Sequence, residues 1–76
     1  MNAVRRKKLA IIMEELEELK GSVEELLEEE EEYRDNMPEN LQGSERYEKA
    51  DEACDSLYEV VSNLEEAIDG IDTAME

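Results

Sequence analysis

The chain has 76 residues, of which 24 are acidic and 8 are basic, so its formal net charge is −16. This length supports one small domain, and the absence of histidine excludes Ser–His and Cys–His nucleophile pairs, histidine-ligated zinc and the Glu-x-x-His di-iron motif. The charge opposes direct binding to nucleic acids or anionic membranes, and no apolar run is long enough to predict a membrane span.

A first helix is predicted over about residues 3–35. Its apolar residues recur at alternating steps of three and four, which are the a and d positions of a heptad repeat. The series is Leu9, Ile12, Leu16, Leu19, Val23, Leu26, Glu30, Tyr33 and Met37. Glu30 is its polar member, and we expect its carboxylate to reach solvent or a tyrosine hydroxyl.

A loop is predicted over residues 36–43. Pro38 disfavours helix at Met37, and the residues after Pro38 favour a single helical turn. Ser44 is a good N-cap for a second helix, because its hydroxyl can accept a hydrogen bond from a free backbone N–H.

The second helix is predicted over about residues 44–75. It carries a second a/d series, which is Tyr47, Ala50, Cys54, Leu57, Val61, Leu64, Ile68, Ile71 and Met75. Folding about the loop sets a layers against a layers and d layers against d layers. The predicted fold is therefore all-α, a single antiparallel two-helix hairpin spanning residues 1–76. Cys54, the single cysteine, is expected to be a small buried apolar residue, and its lack of an internal disulfide partner indicates either a reducing compartment or no redox role.

The apolar face of the second helix is wider than one neighbouring helix can cover. From residue 53 onward, every g position is small or β-branched, the residues being Ala53, Val60, Ala67 and Ala74. This pattern predicts a homo-oligomer, most simply two hairpins in a four-helix bundle. The predicted interface comprises Ala53, Leu57, Val60, Val61, Leu64 and Ala67.

Residues 14–32 contain eleven glutamates and one lysine. A run of this kind is commonly a solvated helix face, but mixed charges would give solubility at less repulsion. Carboxylates at helical spacing on a rigid rod could instead imitate the phosphates of a duplex and occupy a basic protein groove. The candidate interaction face comprises Glu14, Glu15, Glu17, Glu18, Glu24, Glu25, Glu28, Glu29, Glu31 and Glu32.

The two ends of the hairpin differ in their charged groups. At the termini, the basic cluster of residues 5–8 is expected to pair with acidic residues of the second helix. At the loop end, a candidate site for a nucleotide-like ligand comprises Tyr33, Arg34, Arg46 and Tyr47. The alternative is that both tyrosines complete the core while the arginines pair with acidic neighbours.

The segment from Met37 to Arg46, followed by Leu-Glu-Glu-Ala-Ile at residues 64–68, resembles small acidic proteins of bacteriophages and mobile elements of gut Firmicutes. Those proteins share a Pro-Glu-(Ser/Asn)-Leu-Gln loop between two Glu-rich helices. The resemblance implies a phage or mobile-element product in the cytoplasm of a bacterial host, such as an accessory or anti-defence protein. It implies no functional residues.

These features predict a non-enzymatic interaction protein whose acidic face blocks a basic surface of a host protein. One alternative is an oligomeric sponge that binds a nucleotide-like signal at the loop end, and another is a structural coiled-coil assembly module. We expect no catalytic residue, no metal site and no cofactor, and we expect neither nucleic acid nor membrane as a direct partner.

Overall fold

The computed structural model describes all residues from Met1 to Glu76 and contains two long helices and no strand. Helix α1 spans Ala3–Asp35, a 3-10 turn spans Glu39–Leu41, and helix α2 spans Glu45–Ala74. The helices pack antiparallel, since residues near the start of α1 contact the end of α2. The predicted all-α hairpin is confirmed. It measures 59 × 14 × 12 Å.

Side-chain caps fix where both helices begin. The side-chain oxygen of Asn2 accepts a hydrogen bond from the backbone N–H of Arg5 at 2.8 Å. The hydroxyl of Ser44 accepts one from the backbone N–H of Tyr47 at 3.3 Å, as its predicted role as an N-cap requires. The same hydroxyl also donates to the carbonyl oxygen of Leu41, which joins the 3-10 turn to α2.

The face of α1 that contacts α2 differs from the predicted one. The expected a positions hold, but Ile12, Leu19, Leu26 and Tyr33 are 44–57% exposed, so their predicted place in the seam between the helices is wrong. The e column takes their place. Its members from Met13 onward, which are Met13, Lys20, Leu27 and Arg34, are at least half-buried.

A rotation of α1 by about 50° accounts for this exchange of columns. It brings Lys20 and Arg34 within ion-pairing distance of acidic residues on α2, and it inserts Leu27 into the core. The contact face of α2 agrees with the prediction. Its a and d residues are buried or half-buried from Tyr47 to Met75.

The best-packed part of the hairpin is the half nearer the loop. All four buried residues lie there, namely Leu27, Met37, Ala50 and Cys54. A compact protein of 8.8 kDa exposes about 4,800 Å², whereas this chain exposes 5846 Å². Its radius of gyration is 17.3 Å, against about 11 Å for a compact domain of this length. The single copy is therefore elongated, and it leaves large apolar side chains such as Leu19 and Leu26 exposed to water.

Candidate interaction surfaces

The glutamates of the predicted acidic face all lie on the outer side of α1. Nine of the ten are exposed and Glu31 is half-exposed. None takes part in an ion pair, because the four ion pairs of the chain use Asp35, Glu45, Asp51 and Glu65. Ten carboxylates are therefore presented to solvent without a cation from their own chain.

The acidic face has a regular geometry. Its glutamates occupy the b, c, f and g columns of α1, and the same columns recur after seven residues, or about 10.5 Å along the axis. Glu14, Glu17 and Glu18 line a shallow depression composed of acidic residues alone. Residues 19–23 carry no acid and divide the face into two groups.

One long edge of the hairpin is held by charge. The Nη1 atom of Arg34 lies 3.0 Å from Oδ1 of Asp51, and its Nε atom lies 2.9 Å from Oδ1 of Asp35. Farther along the same edge, Nζ of Lys20 lies 3.4 Å from Oε1 of Glu65. We call these four cross-helix residues, Lys20, Arg34, Asp51 and Glu65, the charged edge.

The opposite edge is apolar. Tyr33 and Arg46 line one cleft, so the column of Tyr33 on α1 and the column of Arg46 on α2 lie on the same side of the hairpin. Residues seven apart on a helix share a column. The apolar edge therefore comprises Ile12, Leu19, Leu26 and Tyr33 of α1 with Ala53, Val60, Ala67 and Ala74 of α2.

The predicted oligomer interface is divided between this edge and the seam. Ala53, Val60 and Ala67 lie on the apolar edge, whereas Leu57, Val61 and Leu64 are half-buried against α1. The exposed column of α1 is not part of the predicted interface. The adjacent apolar pairs Ile12-Met13 and Leu26-Leu27 indicate it, because with the a column they make the apolar stripe three columns wide.

The loop end contains a cleft of about 440 Å³, lined by Glu30, Tyr33, Glu45, Arg46, Lys49 and Ala50. Of the four predicted ligand-binding residues, the structure brings together Tyr33 and Arg46. Arg34 instead belongs to the charged edge, where its hydrogen bond to Asp35 raises its pKa and keeps it cationic. Tyr47 is half-buried in the seam.

The basic cluster lies beside the C-terminus, as expected from the antiparallel arrangement. Arg6 donates a hydrogen bond from Nε to the carbonyl oxygen of Met75 at 3.0 Å. The predicted ion pairs at this end are not formed, since the four ion pairs of the chain lie elsewhere. The four cations of residues 5–8 are exposed.

Cys54 is buried, as predicted from its a position. Burial raises the pKa of its thiol, and the negative charges of Glu30, Glu31 and Asp51 act in the same direction, while Arg34 opposes them. The thiol therefore stays protonated near neutral pH. No three acidic or cysteine side chains converge in a geometry that could hold a metal ion, and neither helix has a stretch long and apolar enough to cross a membrane.

Comparison with known proteins adds no relative. No family model matches the chain, and no curated protein or solved structure shows significant similarity to it. The chain thus presents three candidate surfaces, which are the acidic face, the loop-end cleft and the apolar edge.

Proposed function

We propose that the protein is a non-enzymatic interaction protein whose acidic face binds a basic surface of another protein. The observation that carries this proposal is the set of ten glutamates that face solvent without ion pairs. The cations of α1 that pair across the hairpin, Lys20 and Arg34, serve acids outside that set. The acidic face thus keeps its full charge for a partner.

The partner class follows from the shape and charge of this face. A 33-residue helix with carboxylates recurring about every 10.5 Å presents a continuous line of negative charge. Grooves that bind nucleic-acid backbones are lined with Lys and Arg and are suited to such a line. The proposed partner is a basic, nucleic-acid-handling protein of the host, and the protein would compete with nucleic acid for it.

The proposed setting is the bacterial cytoplasm, where the resemblance of residues 37–46 to the phage and mobile-element group suggests an anti-defence role. The proposed active form is a homo-oligomer of hairpins, which doubles the number of acidic faces per particle. The buried thiol of Cys54, with its raised pKa, supports a structural rather than a nucleophilic role for the single cysteine.

Competition with duplex DNA tests this function. A panel of sequence-independent DNA-binding proteins is loaded with fluorescent duplex, and displacement by the hairpin is followed by anisotropy at several salt concentrations. We expect displacement from at least one member, weakening steeply as salt rises. No displacement at low salt from any member would contradict the proposal.

A matched pair of variants separates the acidic face from net charge. Glu24→Gln/Glu25→Gln/Glu28→Gln removes three charges from the face, and Glu52→Gln/Asp55→Asn/Glu59→Gln removes three exposed charges from α2. We expect the first variant to compete about tenfold less well, since each lost charge-assisted contact costs a fraction of a kcal/mol or more. Equal losses in both variants would mean that net charge alone acts.

A second candidate function is binding of an anionic ligand at the loop end. It is favoured by the cleft in which Tyr33 and Arg46 meet, and by the ion pair between Nζ of Lys49 and Oε1 of Glu45 at 3.4 Å, which offsets one carboxylate of the wall. Thermal stabilisation by a nucleoside triphosphate that disappears in Arg46→Ala, but persists in Arg5→Ala, would support it. The absence of any stabilisation would exclude this ligand.

A further inference from the structure

We propose that the apolar edge is a docking surface for a second copy of the chain. The two copies form a symmetric four-helix bundle in which their loops lie at opposite ends. This inference deepens the self-association named in the proposed function and does not depend on what the acidic face binds. The interface predicted from the sequence lies on α2, whereas most of the interface proposed here lies on the column of α1 that begins at Ile12.

The apolar edge has the shape that helix packing requires. The side chains of its α1 column are large and those of its α2 column are small, and in both columns they recur every seven residues. The register set by the Arg34–Asp51 and Lys20–Glu65 pairs places each large residue within about one turn of a small one. The edge is therefore a row of ridges beside a shallow groove, and a second helix can settle into it.

The exposed area matches what a dimer needs. The chain exposes 5846 Å², which exceeds the value for a compact protein of its mass by about 1,000 Å². A standard protein interface removes about 800 Å² from each partner. Leu19 and Leu26 are each 57% exposed, and they lie near the middle of the edge, where burial by a partner is most complete.

The distribution of charge favours an arrangement in which the loops of the two copies lie at opposite ends of the bundle. Residues 28–48, at the loop end, contain nine acidic and two basic residues, whereas at the other end the four cations of residues 5–8 offset most of the five acids of residues 65–76. Loops at the same end would press two strongly acidic ends together. Loops at opposite ends set the basic cluster of each copy beside the acidic loop end of the other.

The α1 column is itself symmetric under this arrangement. When α1 packs antiparallel against α1 of the second copy, Ile12 lies level with Tyr33 of the second copy, and Leu19 lies level with Leu26 of the second copy. The two-fold axis passes between residues 22 and 23. Each copy then offers the same surface to the other, as an isologous interface demands.

The first test is absolute mass by light scattering at high salt, which screens the repulsion between two chains of charge −16. We expect twice the 8.8 kDa chain mass for the unmodified protein. The Leu19→Gln/Leu26→Gln variant should return to the mass of one chain. Ile11→Gln is the matched control, because Ile11 is 56% exposed but lies off the apolar edge, and it should stay dimeric.

A mass of one chain at all concentrations overturns the proposal, and so does equal dissociation of the Ile11→Gln control. Circular dichroism verifies that each variant is helical. Should the double variant unfold, the unmodified protein still decides the matter, since the Tm of a dimer rises with concentration. A Tm that is constant over about a hundredfold range of concentration excludes the dimer.

The direction is tested by energy transfer between labels on different copies. Asn40→Cys marks the loop end and Thr73→Cys marks the terminal end, both in a Cys54→Ala background. Since the hairpin is 59 Å long, loop-to-terminus transfer should be strong and loop-to-loop transfer weak. The reverse result overturns the opposite-end arrangement.

Salt separates this inference from the proposed function. Rising salt should strengthen the dimer, because it screens like charges, and should weaken competition by the acidic face. A monomeric protein that still displaces DNA would contradict the docking surface and the proposed oligomeric form, but not the proposed binding by the acidic face. A dimer without competition would sink the proposed function alone.

Discussion

The two long edges of the hairpin border the same seam but are completed differently. The charged edge joins the helices through Arg34–Asp51 and Lys20–Glu65, and its groups remain partly exposed. The apolar edge leaves side chains as large as Leu26 in water. Ion pairs form at a surface that stays in contact with water, whereas apolar side chains stabilise the protein only when they are removed from water. A single chain therefore provides partners for the side chains of the charged edge, but it does not bury those of the apolar edge.

The largest expected effect distinguishes the seam from the apolar edge at two adjacent leucines. Leu27 is 7% exposed and Leu26 is 57% exposed. We expect Leu27→Ala to lower the free energy of unfolding by about 2–4 kcal/mol. In dilute, monomeric protein, Leu26→Ala should cost less than about 1 kcal/mol. Urea denaturation measures both, and equal costs would mean that α1 is not rotated as described.

A smaller effect is expected for Cys54, which lies in the seam between the two edges. Cys54→Ser places a hydroxyl in a site where the native thiol is buried, and we expect a loss of about 1–3 kcal/mol. Cys54→Ala is the control for lost volume and should cost less. A serine variant as stable as the unmodified protein would show that this part of the seam admits water.

The ion pairs of the charged edge should contribute less again. A double-mutant cycle of Arg34→Gln with Asp51→Asn should give the larger coupling energy, and Lys20→Gln with Glu65→Gln one of about 0.2–0.5 kcal/mol. The first pair is ranked higher because its atoms are closer, at 3.0 Å against 3.4 Å. Both couplings should shrink at high salt, and couplings that persist would contradict a surface pair.

The smallest effect is a pH dependence in which the charged edge acts on the seam. Because the pKa of Cys54 is raised in the folded protein, its contribution to stability is complete below the unfolded pKa of about 8.5 and is lost as the pH rises through the folded value. Cys54→Ala should lack this component in melts at increasing pH.

Arg34 lowers the pKa of Cys54, so Arg34→Gln should raise it further and slow alkylation of the thiol by iodoacetamide. Lys20→Gln is the comparison variant, because Lys20 is not among the charges that act on Cys54. Equal slowing in both variants would show that the charged edge does not act on the thiol specifically.

The elements of the fold could be predicted because their signals are local. Ser44 and Pro38 mark where α2 begins and where α1 must have ended, and the three-four spacing of α2 identifies its contact face. The rotation of α1 could not be predicted in this way. Its d column is apolar, and its e column combines the apolar Met13 and Leu27 with cations that include Arg34. The choice between the two columns depends on acids of α2, such as Asp51, that lie across the seam.

The candidate surfaces also differ in whether local sequence signals are enough to predict them. The acidic face could be located from composition and period, because b, c, f and g positions point outward under either rotation of α1. The ligand-binding set could not, since Arg34 is drawn to Asp51 while Tyr33 turns to the other edge. The rotation of α1 by one column determines on which side of the hairpin each of these residues lies.

The location of all four buried residues in the loop half affects how the hairpin opens. The connection between the helices is short, so closing it costs little chain entropy, and folding should start there and proceed towards the termini like a zipper. The termini should then open first, and their amides should exchange with solvent soonest. In the proposed dimer, the firm end of each copy lies against the fraying end of the other, so each chain clamps the part of its neighbour that a lone hairpin holds least well.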